Sequence, residues 1–300
     1  MLNPDTLVER SKLRSQVATW RLIVFLGLII AVAVVFSNKG VGFLTKPYVA
    51  RIKIDDVISE DQDRLDIIKD IADDKKIKAV IIEVNSPGGT AVGGEELFRA
   101  LKDLGAKKPT VVVMDSLAAS AAYLISVAAE RIYAHQGTIT GSIGVIMEIP
   151  NARDLGEKIG VRMDYIKTSP LKGSPDPFEP RNEQAFAVLH DMMLDFYKFF
   201  VATVAKERHI PLADAQKLAD GRVFSGQAAL QNKLVDQIGN EEDAYNWLVD
   251  NKKIAKGLEI NEIELSRPKP PLEELLGSIA KNLKMDAFFN RNFGFRGLLL

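Results

Sequence analysis

The chain has 300 residues, 47% of them apolar and 26% charged, with a formal net charge of −1. This is a globular balance that excludes a disordered chain. Lysine and arginine are scattered without a basic block, so no nucleic-acid partner is expected.

No cysteine is present, which excludes disulfides, thiol catalysis and cysteine-ligated metals. The histidines His135, His190 and His209 lack ligand spacing and no H-E-x-x-H occurs. No metal and no cofactor is therefore expected.

Residues 1–21 carry Arg10, Lys12, Arg14 and Arg21 against Asp5 and Glu9. Leu22 to Phe36 then run without a charge, and Trp20 and Lys39 flank the run. We read residues 22–38 as a transmembrane signal anchor. A cleaved secretory signal is the competing reading, but no A-x-A-like site follows. A buried soluble helix would show a polar face, and this run has none. The positive-inside tendency puts residues 1–21 in the cytoplasm and the chain beyond about residue 40 across the membrane. Residues 39–47, with Gly40, Gly42 and Pro47, read as a linker.

Tyr48, Ala50, Ile52 and Ile54 alternate with Val49, Arg51 and Lys53, the period of a strand. Residues 59–73 predict a helix. Ala79–Val84 is a short apolar strand that breaks at Asn85-Ser86-Pro87-Gly88-Gly89. A helix over 92–104, a strand at Thr110–Met114, a helix over 119–129 and a strand at Arg131–Ala134 follow. This alternation implies a parallel, right-handed α/β arrangement. Thr140–Val145 reads as a turn and strand, Val161–Ile166 as a further strand, and Lys167–Pro180 as a polar loop.

Phe186, Leu189, Met193, Phe196, Phe200 and Val204 recur at helical steps and mark one long helix. Shorter helices are expected over 212–218, 225–232 and 241–250. Beyond residue 253 lies an extension, with a break at Pro268, Pro270 and Pro271, an amphipathic helix near 272–283 and a tail from Phe293 to Leu300. No internal repeat is present.

Two strand-to-helix junctions carry candidate chemistry. Pro87-Gly88-Gly89 lets the backbone turn sharply, and its amides suit a developing oxyanion, although an ordinary tight turn has the same composition. Asp115–Tyr123 places Ser120 among small residues at a helix start, where the Ala121 amide also faces developing negative charge. A helix-capping serine is the bland alternative there, a role that suits Ser116 equally. A serine nucleophile needs a base. His135 is the only histidine near this part of the chain. A lysine serves when burial lowers its pKa, and Lys167 and Lys172 are the candidates.

Asn85–Gly89, Asp115–Tyr123, Thr140–Val145, Lys167–Pro175 and Ala219–Val223 occur in one order over residues 48–250. Together they resemble the short form of signal peptide peptidase A, also called protease IV. The resemblance implies a crotonase-like, Clp-protease-like spiral of repeated β-β-α units with a helical C-terminal part. That gives a peptidase domain over 48–252, preceded by one transmembrane helix and followed by the extension 253–300.

It also implies Ser120 as nucleophile, Lys172 as general base and Ser142 as the residue that positions the lysine amine. Gly89 and Ala121 are then the oxyanion donors. The family usually has Gly-Gly where Ala121-Ala122 stand, and Asp where Gly173 follows Lys172. The implied protein is a homo-oligomer with sites near subunit interfaces. It sits in the bacterial inner membrane with its catalytic domain on the periplasmic side, and it degrades cleaved signal peptides. The alternatives are an inactive scaffold of the same fold and a crotonase-type acyl-CoA enzyme. A translocated domain argues against the second, since CoA is cytoplasmic.

Overall fold

A computed structural model describes residues 20–22, 24–27 and 46–266. The chain divides into Met1–Pro47 and Tyr48–Leu300. In the first unit Trp20–Leu22 and Val24–Gly27 are helical and exposed. The remainder of the expected anchor 22–38 lies outside the described residues, as do the expected helix at 272–283 and the tail Phe293–Leu300. No described helix is long and apolar enough to cross a membrane.

The second unit is built on one sheet. Its strands are β1 (Tyr48–Ile58), β2 (Ile77–Gly89), β3 (Thr110–Ala119), β4 (Arg131–Ala134), β5 (Ile139–Gly141), β6 (Val223–Ser225), β7 (Gln237–Ile238) and β8 (Ile260–Glu262). The helices between them are α1 (Gln62–Asp73), α2 (Ala91–Lys107), α3 (Ala121–Ser126), α4 (Arg153–Lys158), α5 (Glu183–Glu207), α6 (Leu212–Leu218), α7 (Gly226–Gln231) and α8 (Glu241–Lys252). Strand order is β6-β5-β3-β2-β1-β8, with β4 also on β3 and β7 on β4. Every pairing is parallel except β5 with β6.

The apolar run Ala79–Val84 is explained by burial on both faces of the sheet. Val80, Ile82 and Val84 join the core under α1, α2 and α3, whereas Ala79 and Ile81 join Val49, Val111, Val113 and Tyr133 under Leu248 of α8. Helix starts follow their caps. Asp61, Thr90 and Asn182 accept from the amides of Arg64, Gly93 and Ala185, and Asn240 with Asp243 forms a capping box on α8.

Strand β3 forks. Its first half, Val111–Met114, pairs with β4, and its last residues, Leu117–Ala119, pair with β5. Thr138 holds the fork: its hydroxyl donates to the Asp115 carbonyl at 2.7 Å and accepts from the His135 amide at 2.9 Å. The fork releases the end of β3 from β4 and delivers Ser120 beside β5.

Several expected boundaries move. The ladder of β2 continues through Gly89 instead of ending at Val84. The expected helix over 119–129 is confined to Ala121–Ser126, because Ala118 and Ala119 still pair with β5. The strand expected over Thr140–Val145 ends at Gly141, where Ser142 turns to φ +49°. Val161–Ile166 is not a strand. Its residues are exposed and pair with nothing, and β6 already covers the free edge of β5 that another strand would need.

Candidate active site

Ser120 sits between the last residue of β3 and the first of α3, with φ +54° and ψ −124°. This is a backbone region that a non-glycine residue occupies only when its surroundings impose it. Three hydrogen bonds fix it: the Ser120 amide donates to the Gly141 carbonyl at 2.9 Å, and its carbonyl accepts from the amides of Tyr123 and Leu124. Its hydroxyl makes no capping bond to α3, so the oxygen is free to project from the turn. Ser116, the other serine in this segment, lies exposed within β3 and caps nothing.

The Pro87-Gly88-Gly89 turn abuts this corner. A Cβ on Gly88 would lie 2.8 Å from the Ser120 Cβ and 2.9 Å from the Ala119 carbonyl, at a φ of +114°. Only glycine allows that approach. Ser86, fully buried, accepts the Gly88 amide at 3.2 Å. Gly89 pairs with Ile58, whose carbonyl accepts from the Thr90 amide at 2.8 Å. In a parallel bridge one residue bonds to both neighbours of its partner and the partner's own N–H points away; Ile58, which accepts from Thr90, is the bonded one here. The Gly89 amide therefore points away from β1, on the side where Gly88 meets Ser120.

A cavity of about 440 Å³ opens here, lined by Ser120, Ser142, Gly144, Val145, Ile146, Tyr197, Ala219, Asp220 and Gly221. Its walls are mixed, with Val145, Ile146 and Ala219 offering apolar surface to a peptide side chain beside the polar Ser120, Ser142 and Asp220. Ser142 shares the cavity with Ser120, held by its amide bond to the Arg222 carbonyl at 2.9 Å. Asp220 is the only acid in the lining among the described residues, and Arg222 clamps it and holds its carboxyl down at about 2. It is a charged, partnered carboxylate and a poor proton acceptor.

Among the described residues no histidine or lysine lines the cavity. His135 faces Asp115 at 3.9 Å, near the fork. The two candidate lysines differ. Lys167 is bound to Glu179 at 2.6 Å, lies 4.8 Å from the centre of the Tyr165 ring and is 18% exposed. Lys172 stands exposed on the turn in which its amide donates to the Ser169 carbonyl, with no ion-pair partner among the described residues. The structure thus brings Ser120, Ala121, Ser142 and the glycine turn together, and places Lys172 on a separate turn outside the cavity lining. Among the described residues no cluster of His, Asp and Glu could hold a metal ion.

Sequence reasoning did not find Tyr197, nor any role for Ala219–Gly221. The face of α5 was read from its apolar residues, and a tyrosine next to Phe196 gave no separate signal.

The model of peptidase family S49 matches residues 102–255, from within α2 to beyond α8. The chain belongs to this family, that of signal peptide peptidase A. It is thereby placed among the serine peptidases. It is 35% identical to a Synechocystis protein named as a protease, over 78% of this chain and 84% of that one. It is 38% identical to a protein named signal peptide peptidase SppA of Enterococcus faecium, over 64% and 56%. It is 31% identical to the chloroplastic serine protease SPPA of Arabidopsis thaliana, over 72% of this chain and 32% of the relative. The chain thus spans little more than half of the Enterococcus relative and a third of the plant one.

Proposed function

We propose that this protein is a membrane-anchored serine endopeptidase with Ser120 as nucleophile and Lys172 as general base, acting on signal peptides after their removal from preproteins. The observation that carries the reading is the strained Ser120 corner, packed against a glycine turn and opening into a cavity partly walled by apolar side chains.

In the proposed reaction the neutral Lys172 amine accepts the Ser120 proton as Oγ attacks the scissile carbonyl. The amides of Gly89 and Ala121 stabilise the oxyanion. Lysine then gives the proton to the departing amine, and the C–N bond breaks to leave an acyl-enzyme. Water, deprotonated by the same lysine, attacks the ester and frees Ser120. The Ser142 hydroxyl, in the same cavity, orients the lysine amine.

A lysine works as base only when shielded from water. Lys172 of a single copy is exposed, and no cationic group among the described residues lines the cavity. Both features favour a homo-oligomer in which a neighbouring copy completes and buries the site. The exposed apolar side chains of Ile146, Ile159, Met163 and Ile166 lie in the segment between Ser142 and Lys172 and favour the same reading. The domain is then a crotonase-like spiral, with the segment 22–38 as its anchor in the bacterial inner membrane and the peptidase domain on the periplasmic side.

Cleavage of a fluorogenic peptide with a small or apolar residue before the bond tests this. Ser120→Ala and Lys172→Ala should each abolish turnover, and Lys167→Ala should not. Turnover by Ser120→Ala near the wild-type rate would overturn the nucleophile, and the reverse order of the two lysines would overturn the base.

A further inference from the structure

Tyr197 lies on α5, half-buried, and its ring lines the Ser120 cavity. Its hydroxyl donates to the carbonyl of Ala219 at 2.9 Å. Ala219 is the residue after α6, where carbonyls lose their helical partners. The tyrosine therefore supplies an acceptor-satisfying bond at the point where the cavity wall begins.

The wall is the segment Ala219–Arg222. It turns at Gly221, φ +86°, where open space lies on the side a Cβ would take, and its backbone runs close past Gly144. At its far end the Arg222 carbonyl accepts from the Ser142 amide at 2.9 Å, and Val223–Ser225 pairs with β5. The segment is thus pinned at both ends: by β5 and Ser142 on one side, by the Tyr197 hydroxyl and the burial of Ala219 in the core on the other. Between the pins lie Asp220 and Gly221, both lining the cavity, with the Asp220–Arg222 ion pair internal to the segment and unable to tie it to the rest of the domain.

We propose that Tyr197 is a specificity-determining residue: its ring forms one side of the substrate cavity, and its hydroxyl latches the Ala219–Gly221 wall, fixing the size of apolar side chain the site accepts. The proposal rests on Ser120 being the nucleophile. With the latch in place the cavity discriminates by size. Without it the wall yields, and bulky side chains enter with less penalty while smaller ones lose a fixed surface to pack against.

The test uses the full-length protein and peptidyl phosphonates carrying Ala, Leu or Phe at the position next to phosphorus, with the rate of covalent labelling read for each. Tyr197→Phe, which keeps the ring and removes only the hydroxyl, should change the Leu-to-Phe selectivity ratio by about fivefold, the scale of one neutral hydrogen bond. Tyr197→Leu should change it further. A merely structural role would lower all three rates together and leave the ratio fixed, which overturns the latch. An unchanged ratio with unchanged rates overturns it too. If the wild type labels with none of the probes, or labels at a serine other than Ser120, the nucleophile assignment falls and the latch falls with it. Wild-type labelling at Ser120 with an unaltered ratio in Tyr197→Phe sinks the latch alone.

Discussion

The amide of Ser120 donates to the carbonyl of Gly141 across 2.9 Å, joining the end of β3 to the end of β5. That bond uses the proposed nucleophile's own N–H, so in the proposed reaction the oxyanion is met by other amides at this corner, those of Ala121 and Gly89. It also locks Ser120 at φ +54°, the geometry that turns its hydroxyl out of the helix start and toward the cavity.

Strain at Ser120 has a measurable consequence. A residue in this region costs on the order of 1–3 kcal/mol, and glycine escapes most of that cost. Ser120→Gly should therefore be inactive but more stable than Ser120→Ala, by about 1 kcal/mol. Thermal unfolding of the two variants side by side checks this. Equal midpoints would mean the corner is unstrained.

Gly88 faces the same corner from the other side. Gly88→Ala would set a methyl 2.8 Å from the Ser120 Cβ, so the two segments must separate. Peptide cleavage should fall about a hundredfold, the scale of losing one oxyanion donor. A near-normal rate in a folded Gly88→Ala protein would show that the glycine turn takes no part in the site.

Tyr123, fully buried one turn after Ser120, donates its hydroxyl to the Leu234 carbonyl at 2.9 Å. Tyr123→Phe leaves that carbonyl unpaired and should cost about 1–3 kcal/mol in urea unfolding. The variant should still label with a serine-reactive phosphonate, because the bond lies in the core and away from the cavity.

Glu83 makes stability depend on pH. Burial and the neighbouring Glu241 carboxyl raise its pKa to about 7, against the pull of Arg51. The folded protein therefore holds a proton that the unfolded chain releases near the ordinary glutamate value of 4.5. This contribution is fully present below pH 4.5 and is lost as pH rises through about 7. Urea midpoints of the wild type should carry that decline between pH 5 and 8, and Glu83→Gln should remove it. A variant with the same pH slope as the wild type would reject the assignment.

Much of this fold was legible because its strands are long or buried on both faces. Ala79–Val84 and Thr110–Met114 announce themselves as apolar runs, and α5 by its helical period. The short strands β6, β7 and β8 were not legible, since two or three residues carry no period; partners far along the chain define them. Val161–Ile166 misled for the converse reason: its composition suits a strand, but its residues stay exposed and join no ladder among the described residues.

At the site, the order of motifs pointed to Ser120, Ser142 and Gly89. The left-handed turn at Ser120 was hidden, because a capping serine has the same sequence appearance. Tyr197 was hidden because its use comes from Ala219, twenty-two residues on. Lys167 and Lys172 could not be separated by local composition alone; the Lys167–Glu179 ion pair, a contact across a loop, is a difference between them that local composition does not carry.

The most direct test of the central claim is to label the full-length protein with a peptidyl phosphonate and map the adduct by mass spectrometry. A single adduct on Ser120, absent from Ser120→Ala, is the predicted result. An adduct on a different serine, or peptide cleavage that continues in a protein whose Ser120 has been replaced by alanine, would contradict it.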